Sequence, residues 1–188
     1  MPLEIGRTLI DRDRIRLRVG EMGRALSADL TQELAKEGQD AANHPDRIVM
    51  LPVLTGAVVF VADLIREMPM RLSMRVVSVS SYPGSSTSSK GAMLRGALPP
   101  DLKGRHVVVV DDILDTGQTL GLLRDLILEQ RPASLRIVVL LTKLVQRRVE
   151  VAAHYSGFDI PDEFVVGYGL DYNGFYRNLP EIVILEQR

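Results

Sequence analysis

The sequence predicts an α/β fold in which helices flank a central, mostly parallel sheet. Residues 107–110 are four consecutive Val, too short and too branched a run for a helix, and residues 120–128 after them have helical apolar spacing. Residues 48–51 and 135–141 are further apolar runs of strand length. Strands that alternate with helices in this way are typical of β–α–β units, which build a doubly wound sheet with right-handed crossovers.

The first half of the chain predicts the remaining elements. Asp11 is a candidate N-cap, and the apolar residues after it, at steps of three or four, form one helix face: Ile15, Val19, Met22, Leu26, Leu30 and Leu34. Residues 38–45 break this helix. Thr55-Gly56 follows the first strand and precedes an apolar helix that ends near residue 68, and residues 71–79 predict another strand.

Composition limits the class of protein. A chain of 188 residues with 46% hydrophobic and 25% charged residues is typical of one globular domain. There is no Cys, no apolar run of membrane-spanning length and no visible secretory signal, which favours a cytoplasmic protein without a membrane partner. With 23 basic and 24 acidic residues, the charge does not indicate a nucleic-acid partner.

The most informative segment is residues 111–119, Asp-Asp-Ile-Leu-Asp-Thr-Gly-Gln-Thr, where a buried strand runs into a helix. The N–H groups of residues 115–119 are placed to bind an anion at the helix N-terminus, and Gly117 allows a close backbone approach. The carboxylates of Asp111 and Asp112 suit sugar hydroxyls, or a metal held through water. The segment therefore predicts a sugar-phosphate site, and the alternative is an acidic turn in which an Asp caps the helix.

Two other segments each allow two interpretations. Residues 83–91, rich in Ser and Gly, predict either a flexible surface loop or a lid that excludes water, and their place just before the phosphate corner favours the lid. Seven aromatic residues lie between positions 155 and 176 and predict a hydrophobic subcluster in which one or two rings face a planar base. Asp171, within that window, either caps a turn or has a functional role.

These motifs carry a resemblance to a known family. Residues 107–119 resemble the phosphoribosyl-pyrophosphate (PRPP) signature of type I phosphoribosyltransferases, and residues 157–173 resemble the purine-binding segment of hypoxanthine-guanine phosphoribosyltransferases. Ser81 and Tyr82 match the family's lid loop, and Leu54-Thr55-Gly56 matches another family loop. The resemblance implies a Rossmann-like fold in one domain, residues 1–188, with a core at about 45–145, a hood from the N-terminus and about 146–188, and a lid at about 81–96.

The resemblance also implies roles at the phosphoribosyl end of the site. Asp111 and Asp112 would face the ribose hydroxyls. The 5′-phosphate loop would comprise Asp115, Thr116, Gly117, Gln118 and Thr119. Pyrophosphate would meet the backbone of Thr55 and Gly56, next to a cis peptide at Leu54–Thr55, and the side chain of Arg177. Mg2+ would be held by Asp171, Asp111 and Asp112. Thr55 and Gln118 stand where some relatives carry a basic residue.

At the base end, the resemblance implies that Lys143 donates to the 6-oxo group of hypoxanthine or guanine. Adenine carries an amino group there and would leave the donor unpaired. Phe164 would stack on the base, the Val165 backbone would meet its pyrimidine edge, and Asp171 would lie beside it. Asp115 would act as the general base for purine N7. The alternatives are purely structural: Lys143 is a lysine at the end of a strand, and Asp115 caps a helix.

The implied function is purine salvage: Mg2+-dependent transfer of the 5-phosphoribosyl group from PRPP to N9 of hypoxanthine or guanine. The products would be IMP or GMP and pyrophosphate, and the protein would form a homodimer or homotetramer. Three alternatives stay open. They are a xanthine-preferring phosphoribosyltransferase, an RNA-binding pyrimidine-operon regulator on the same fold, and a catalytically dead scaffold.

Overall fold

The computed structural model describes residues 3–80 and 92–187. Its helices and strands, in chain order, are β1 (Leu3–Ile10), α1 (Arg12–Lys36), β2 (Ile48–Leu54), α2 (Val58–Arg66), β3 (Ser73–Met74), β4 (Val77–Ser80), β5 (Met93–Arg95), β6 (His106–Leu114), α3 (Gln118–Glu129), β7 (Ser134–Lys143), β8 (Tyr155–Ile160), β9 (Val165–Val166) and β10 (Ile182–Gln187). A single 3-10 turn, Pro45–Arg47, precedes β2.

The main sheet has the order β5-β4-β2-β6-β7-β8, with β3 beside the start of β2. All of its pairings are parallel except that of β5 with β4. The predicted α/β fold with a mostly parallel sheet is therefore confirmed. A second, antiparallel sheet has the order β1-β10-β9 and joins the two ends of the described chain.

The main sheet is buried on both faces, as the apolar runs predict. Val108 and Val110 of β6 face a core that includes α1 and α2. Val107 and Val109 face the opposite core, which includes α3. Because side chains alternate between the faces of a strand, a strand covered on both sides needs an unbroken apolar sequence.

The long first helix is confirmed together with its cap. The Asp11 carboxylate accepts a hydrogen bond from the backbone N–H of Arg14 at 2.9 Å, and all six predicted face residues are buried. Residues 71–79, expected as one strand, are instead β3 and β4. Arg75 lies between them, and its N–H donates to Met50 O at 3.0 Å, so the chain steps along β2 before pairing again.

The structure does not test the predicted lid or the predicted division into a core and a hood. Ser81, Tyr82 and the rest of the segment up to residue 91 lie outside the described residues. The lid therefore stays a prediction, as does the division into a core and a hood. No helix within residues 3–80 and 92–187 is long and apolar enough to cross a membrane.

Candidate active site

The loop between β6 and α3 has the geometry of an anion site. Gly117 is the N-cap of α3, with a φ of 81°, and no side chain caps the helix. The first N–H groups of a helix have no partner within it, so here they remain available to a ligand. The alternative in which an Asp caps this helix is not what the structure contains.

The same loop is braced from behind by a segment that follows β7. Thr116 O accepts hydrogen bonds from the N–H groups of Arg148 at 2.9 Å and Val149 at 3.2 Å. A Cβ on Gly117 would overlap the carbonyl oxygen of Val149. Position 117 thus needs glycine both for its positive φ and for this close approach.

The loop forms one wall of a cleft of about 370 Å³. This phosphoribosyl cleft brings together eleven of the residues singled out from the sequence: Thr55, Gly56, Asp111, Asp112, Asp115, Thr116, Gly117, Gln118, Thr119, Asp171 and Arg177. They come from the ends of β2 and β6, the start of α3 and the turn before β10. Ligands of open α/β sheets bind at this carboxyl edge of the strands.

A second cleft, of about 220 Å³, adjoins the first. Lys143, Phe164, Val165 and Leu170 line this base cleft, while Ile113 and the carboxylates of Asp112, Asp115 and Asp171 line both clefts. The sequence placed the phosphate residues and the aromatic segment far apart in the chain, and the fold makes them neighbours. The three shared carboxylates mark the place where two ligands in adjoining clefts would meet.

The two consecutive carboxyls at the end of β6 share a buried position. Asp111 is only 6% exposed, and its Oδ1 accepts a hydrogen bond from the N–H of Asp112 at 3.0 Å. Burial raises the pKa of both carboxyls, and the adjacent Asp112 charge raises that of Asp111 further. A Cβ on Gly56 would overlap Asp112 Oδ2, so glycine at 56 lets the β2–α2 loop approach this pair.

Lys143, at the end of β7, lies between two carboxylates. Its side chain is 13% exposed, and its Nζ is 3.1 Å from Asp162 Oδ1 and 4.0 Å from Asp115 Oδ2. Phe164 is 49% exposed and meets Tyr172 edge-on, with ring centroids 5.6 Å apart. An ammonium donor and an open aromatic face therefore border the same small cleft, as a planar, oxygen-bearing ligand requires.

Asp171 both caps a turn and lines the clefts. Its Oδ2 accepts from the N–H of Gly174 at 2.7 Å, and its Oδ1 is 2.6 Å from Arg177 Nη2. The turn-capping interpretation is thus confirmed, while the functional role of Asp171 stays a prediction that its place at both clefts allows. Arg177 also donates from Nη1 to Gly169 O at 2.6 Å, which fixes its guanidinium at the rim of the phosphoribosyl cleft.

Comparisons with known proteins agree with this geometry. Residues 22–173 match the phosphoribosyl transferase domain. Hypoxanthine-guanine phosphoribosyltransferases of Streptococcus pneumoniae and Mycobacterium tuberculosis are 40% and 42% identical, over 98% and 100% of this chain and 95% and 89% of their own. The chain belongs to the hypoxanthine-guanine phosphoribosyltransferase family. A solved structure of the Trypanosoma cruzi hypoxanthine phosphoribosyl transferase superposes with a TM-score of 0.85 at 36% identity, covering 97% of this chain and 92% of that one.

In this phosphoribosyltransferase, the cis peptide expected at Leu54–Thr55 is present. The carboxylates expected to hold Mg2+ can be compared with the geometry of the clefts. Within the described part of the chain, no three His, Asp or Glu side chains cluster as a metal cage. Asp112 and Asp171 nevertheless both line the junction of the clefts. That donor set fits Mg2+, which keeps several waters and takes one or two carboxylates plus substrate phosphates.

Several residues that shape the site were not found from the sequence. Arg148 and Val149 brace the phosphate loop through their backbone, and Asp162 contacts Lys143 through an exposed carboxylate. Backbone bracing leaves no side-chain signature. The acid of Asp162, two positions before Phe164 in the purine-like segment, was a signal that could have been used.

Proposed function

We propose that this protein is a purine-salvage enzyme that transfers the 5-phosphoribosyl group from PRPP to N9 of hypoxanthine or guanine, yielding IMP or GMP and pyrophosphate. The main support for this reaction is the pair of adjoining clefts. One is walled by an uncapped helix N-terminus, the other by Lys143 and Phe164, and Asp115 lines both. The family relationship supports the same reaction.

At the phosphoribosyl end, backbone amides supply most of the anion binding. The 5′-phosphate accepts from the N–H groups of residues 115–119 and from the Thr116 and Thr119 hydroxyls. The ribose hydroxyls donate to Asp111 and Asp112. Pyrophosphate lies between the loop at Thr55 and Gly56 and the guanidinium of Arg177, both of which line this cleft.

At the base end, Lys143 selects a 6-oxopurine by donating to its oxygen. An amino group at that position cannot accept this hydrogen bond and turns its own N–H donors toward the ammonium, so adenine is rejected. Phe164 stacks on the base and the Val165 backbone contacts its pyrimidine edge. Asp171 closes the cleft where the base meets the ribose.

The transfer breaks the bond between ribose C1 and pyrophosphate and forms the bond from C1 to purine N9. The purine N7 proton passes to the Asp115 carboxylate. Pyrophosphate leaves with the bonding electrons, stabilised by the loop amides and Arg177. Asp171, Asp111 and Asp112 would hold Mg2+ largely through water, and the ion would supply further charge stabilisation to the leaving group.

We also propose that the enzyme is cytoplasmic and works as a homodimer or homotetramer. For the T. cruzi relative, a role of the C-terminal region in the oligomeric state and enzymatic activity is described. In this chain the C-terminal strand β10 is the central strand of the second sheet, between β1 and β9. Light scattering coupled to size-exclusion chromatography gives the mass; a monomer at micromolar concentration would contradict the self-association.

The deciding experiment offers hypoxanthine, guanine, xanthine or adenine separately with PRPP and Mg2+ and measures nucleotide formation. We expect product with hypoxanthine or guanine, and none once EDTA is added. Product with xanthine alone would replace the proposal by the xanthine-preferring alternative. A folded protein that binds PRPP but uses no base would contradict the enzyme, and a salt-sensitive RNA gel shift would then identify the regulator.

A further inference from the structure

A turn of four residues, Gly167 to Leu170, lies between the base end and the pyrophosphate end. Tyr168 in this turn is 7% exposed and does not line the phosphoribosyl cleft or the base cleft. It lines a third cleft, of about 660 Å³, together with Asp63 of α2 and with Arg177, which also lines the phosphoribosyl cleft. There its hydroxyl donates a hydrogen bond to Asp63 Oδ2. Burial raises the pKa of this hydroxyl, so it stays protonated and donates.

The residue after Tyr168 supports the pyrophosphate end directly. Gly169 O accepts from Arg177 Nη1 at 2.6 Å, and Gly169 N donates to Arg177 O at 3.0 Å. A Cβ on Gly169 would overlap the carbonyl oxygen of Gly56, so the turn is packed against the β2–α2 loop. Any displacement of the turn therefore reaches both groups proposed to hold pyrophosphate.

The base end has a separate anchor. Phe164 O accepts from Leu185 N at 2.9 Å, and β9 pairs with β10 at Val165–Ile184 and Val166–Val183. These backbone bonds fix Phe164 and Val165 without the help of Tyr168. Loss of the Tyr168 contact should consequently affect the two substrates unequally.

We propose that Tyr168 and Asp63 are positioning residues for the pyrophosphate end of the site. Their hydrogen bond joins the turn at Gly169 to α2. Because α2 starts directly after the loop that carries Gly56, this bond keeps the Arg177 guanidinium opposite that loop. Neither residue touches the substrate. The inference rests on the proposed phosphoribosyl transfer, because it assigns the pair to the recognition of pyrophosphate.

The test measures KM for each substrate in both directions of the reaction. Tyr168→Phe keeps the buried ring and removes only the donor, so KM for PRPP and for pyrophosphate should rise about tenfold, equivalent to about 1.4 kcal/mol. KM for hypoxanthine and for IMP should stay within about twofold, because the base end keeps its own anchor. Asp63→Ala should reproduce this split, and Asp63→Asn, whose amide oxygen still accepts, should restore most of the affinity.

A double variant and a matched control complete the design. Tyr168→Phe combined with Asp63→Ala should be no worse than either change alone, as expected for two ends of one hydrogen bond. Arg66→Gln removes the other partner of Asp63 and should leave KM for PRPP unchanged. Equal shifts for both substrates, or additive effects of the two variants, would overturn the inference in an active enzyme. A wild-type protein that makes no nucleotide would instead refute the proposed function.

Discussion

Replacing Asp115 by Asn tests the proton acceptor of the proposed reaction. The substitution keeps the size of the side chain and its place at the junction of the two clefts. It removes the ability to take up the purine proton. It also removes one of the two carboxylates near Lys143 Nζ, the one at 4.0 Å.

The expected size of the effect follows from these roles. A positioned general base contributes roughly 10²–10⁴ to the rate, so kcat should fall at least about a hundredfold, or about 2.7 kcal/mol in the activation free energy. The amides of residues 115–119 and the Gly117 turn are backbone features that this substitution leaves in place. KM for PRPP should therefore change by less than about threefold.

Steady-state kinetics with both substrates varied gives kcat and both KM values. Asp162→Asn is the matched control, since it also removes a carboxylate from Lys143, the closer one at 3.1 Å, but does not line either of the two clefts. Its kcat should stay within about threefold of the wild type. A fully active Asp115→Asn, or equal losses in both variants, would remove Asp115 from the role of base.

Three further outcomes are expected. Lys143→Met should lower kcat/KM for hypoxanthine roughly fiftyfold, with KM for PRPP little changed, because a charged donor is worth about 1.5–3 kcal/mol. Gly117→Ala should raise KM for PRPP at least about tenfold, since the new Cβ would overlap Val149 O; Gly104→Ala, which has a similar positive φ but open space around it, should lower only Tm. Burial lowers the pKa of His106, so the unfolded chain takes up a proton below about pH 6.5 before the folded one does. The free energy of unfolding, from urea titrations, should thus decrease as pH falls below that value, and less so in His106→Gln.

The apolar pattern of the sequence predicted those helices and strands whose buried side chains follow one another closely in the chain. The apolar face of α1 and the Val run of β6 each reflect a buried surface with a regular period, and both were found. β1 and β10 were not expected. They pair residues from opposite ends of the chain, Leu3 with Gln187 among them, and most of the β1 side chains are exposed or half-buried. A strand stabilised by such a distant partner leaves little periodic signal in its own sequence.

The site likewise contains residues that a contiguous sequence motif predicts and residues that only tertiary packing places. The phosphate corner was predictable because its function requires a contiguous sequence: acids at the strand end, a glycine with positive φ, and a helix start. The place of Tyr168 could not be predicted from the sequence. This residue belonged to the aromatic group from which a base-stacking face was expected, yet it has a positive φ of 49° and its hydroxyl donates to Asp63. The sequence alone did not distinguish Tyr168, which contacts α2, from Phe164, which is anchored by β10 and lines the base cleft.

The charge of the phosphoribosyl cleft bears on the proposed use of Mg2+ with PRPP. Among the described residues that line it there are four carboxylates, Asp111, Asp112, Asp115 and Asp171, and one guanidinium, Arg177, which already contacts Asp171. Thr55 and Gln118 add no positive charge. A polyanion such as PRPP would be repelled by such a cleft unless the carboxylates are partly neutralised. Burial raises the pKa of Asp111 and of Asp112, which favours the neutral form of each carboxyl, and the amide dipoles at the start of α3 add positive potential. The remainder is what a Mg2+ ion carried by the pyrophosphate would provide, so the electrostatics of this cleft support the proposed dependence on the metal.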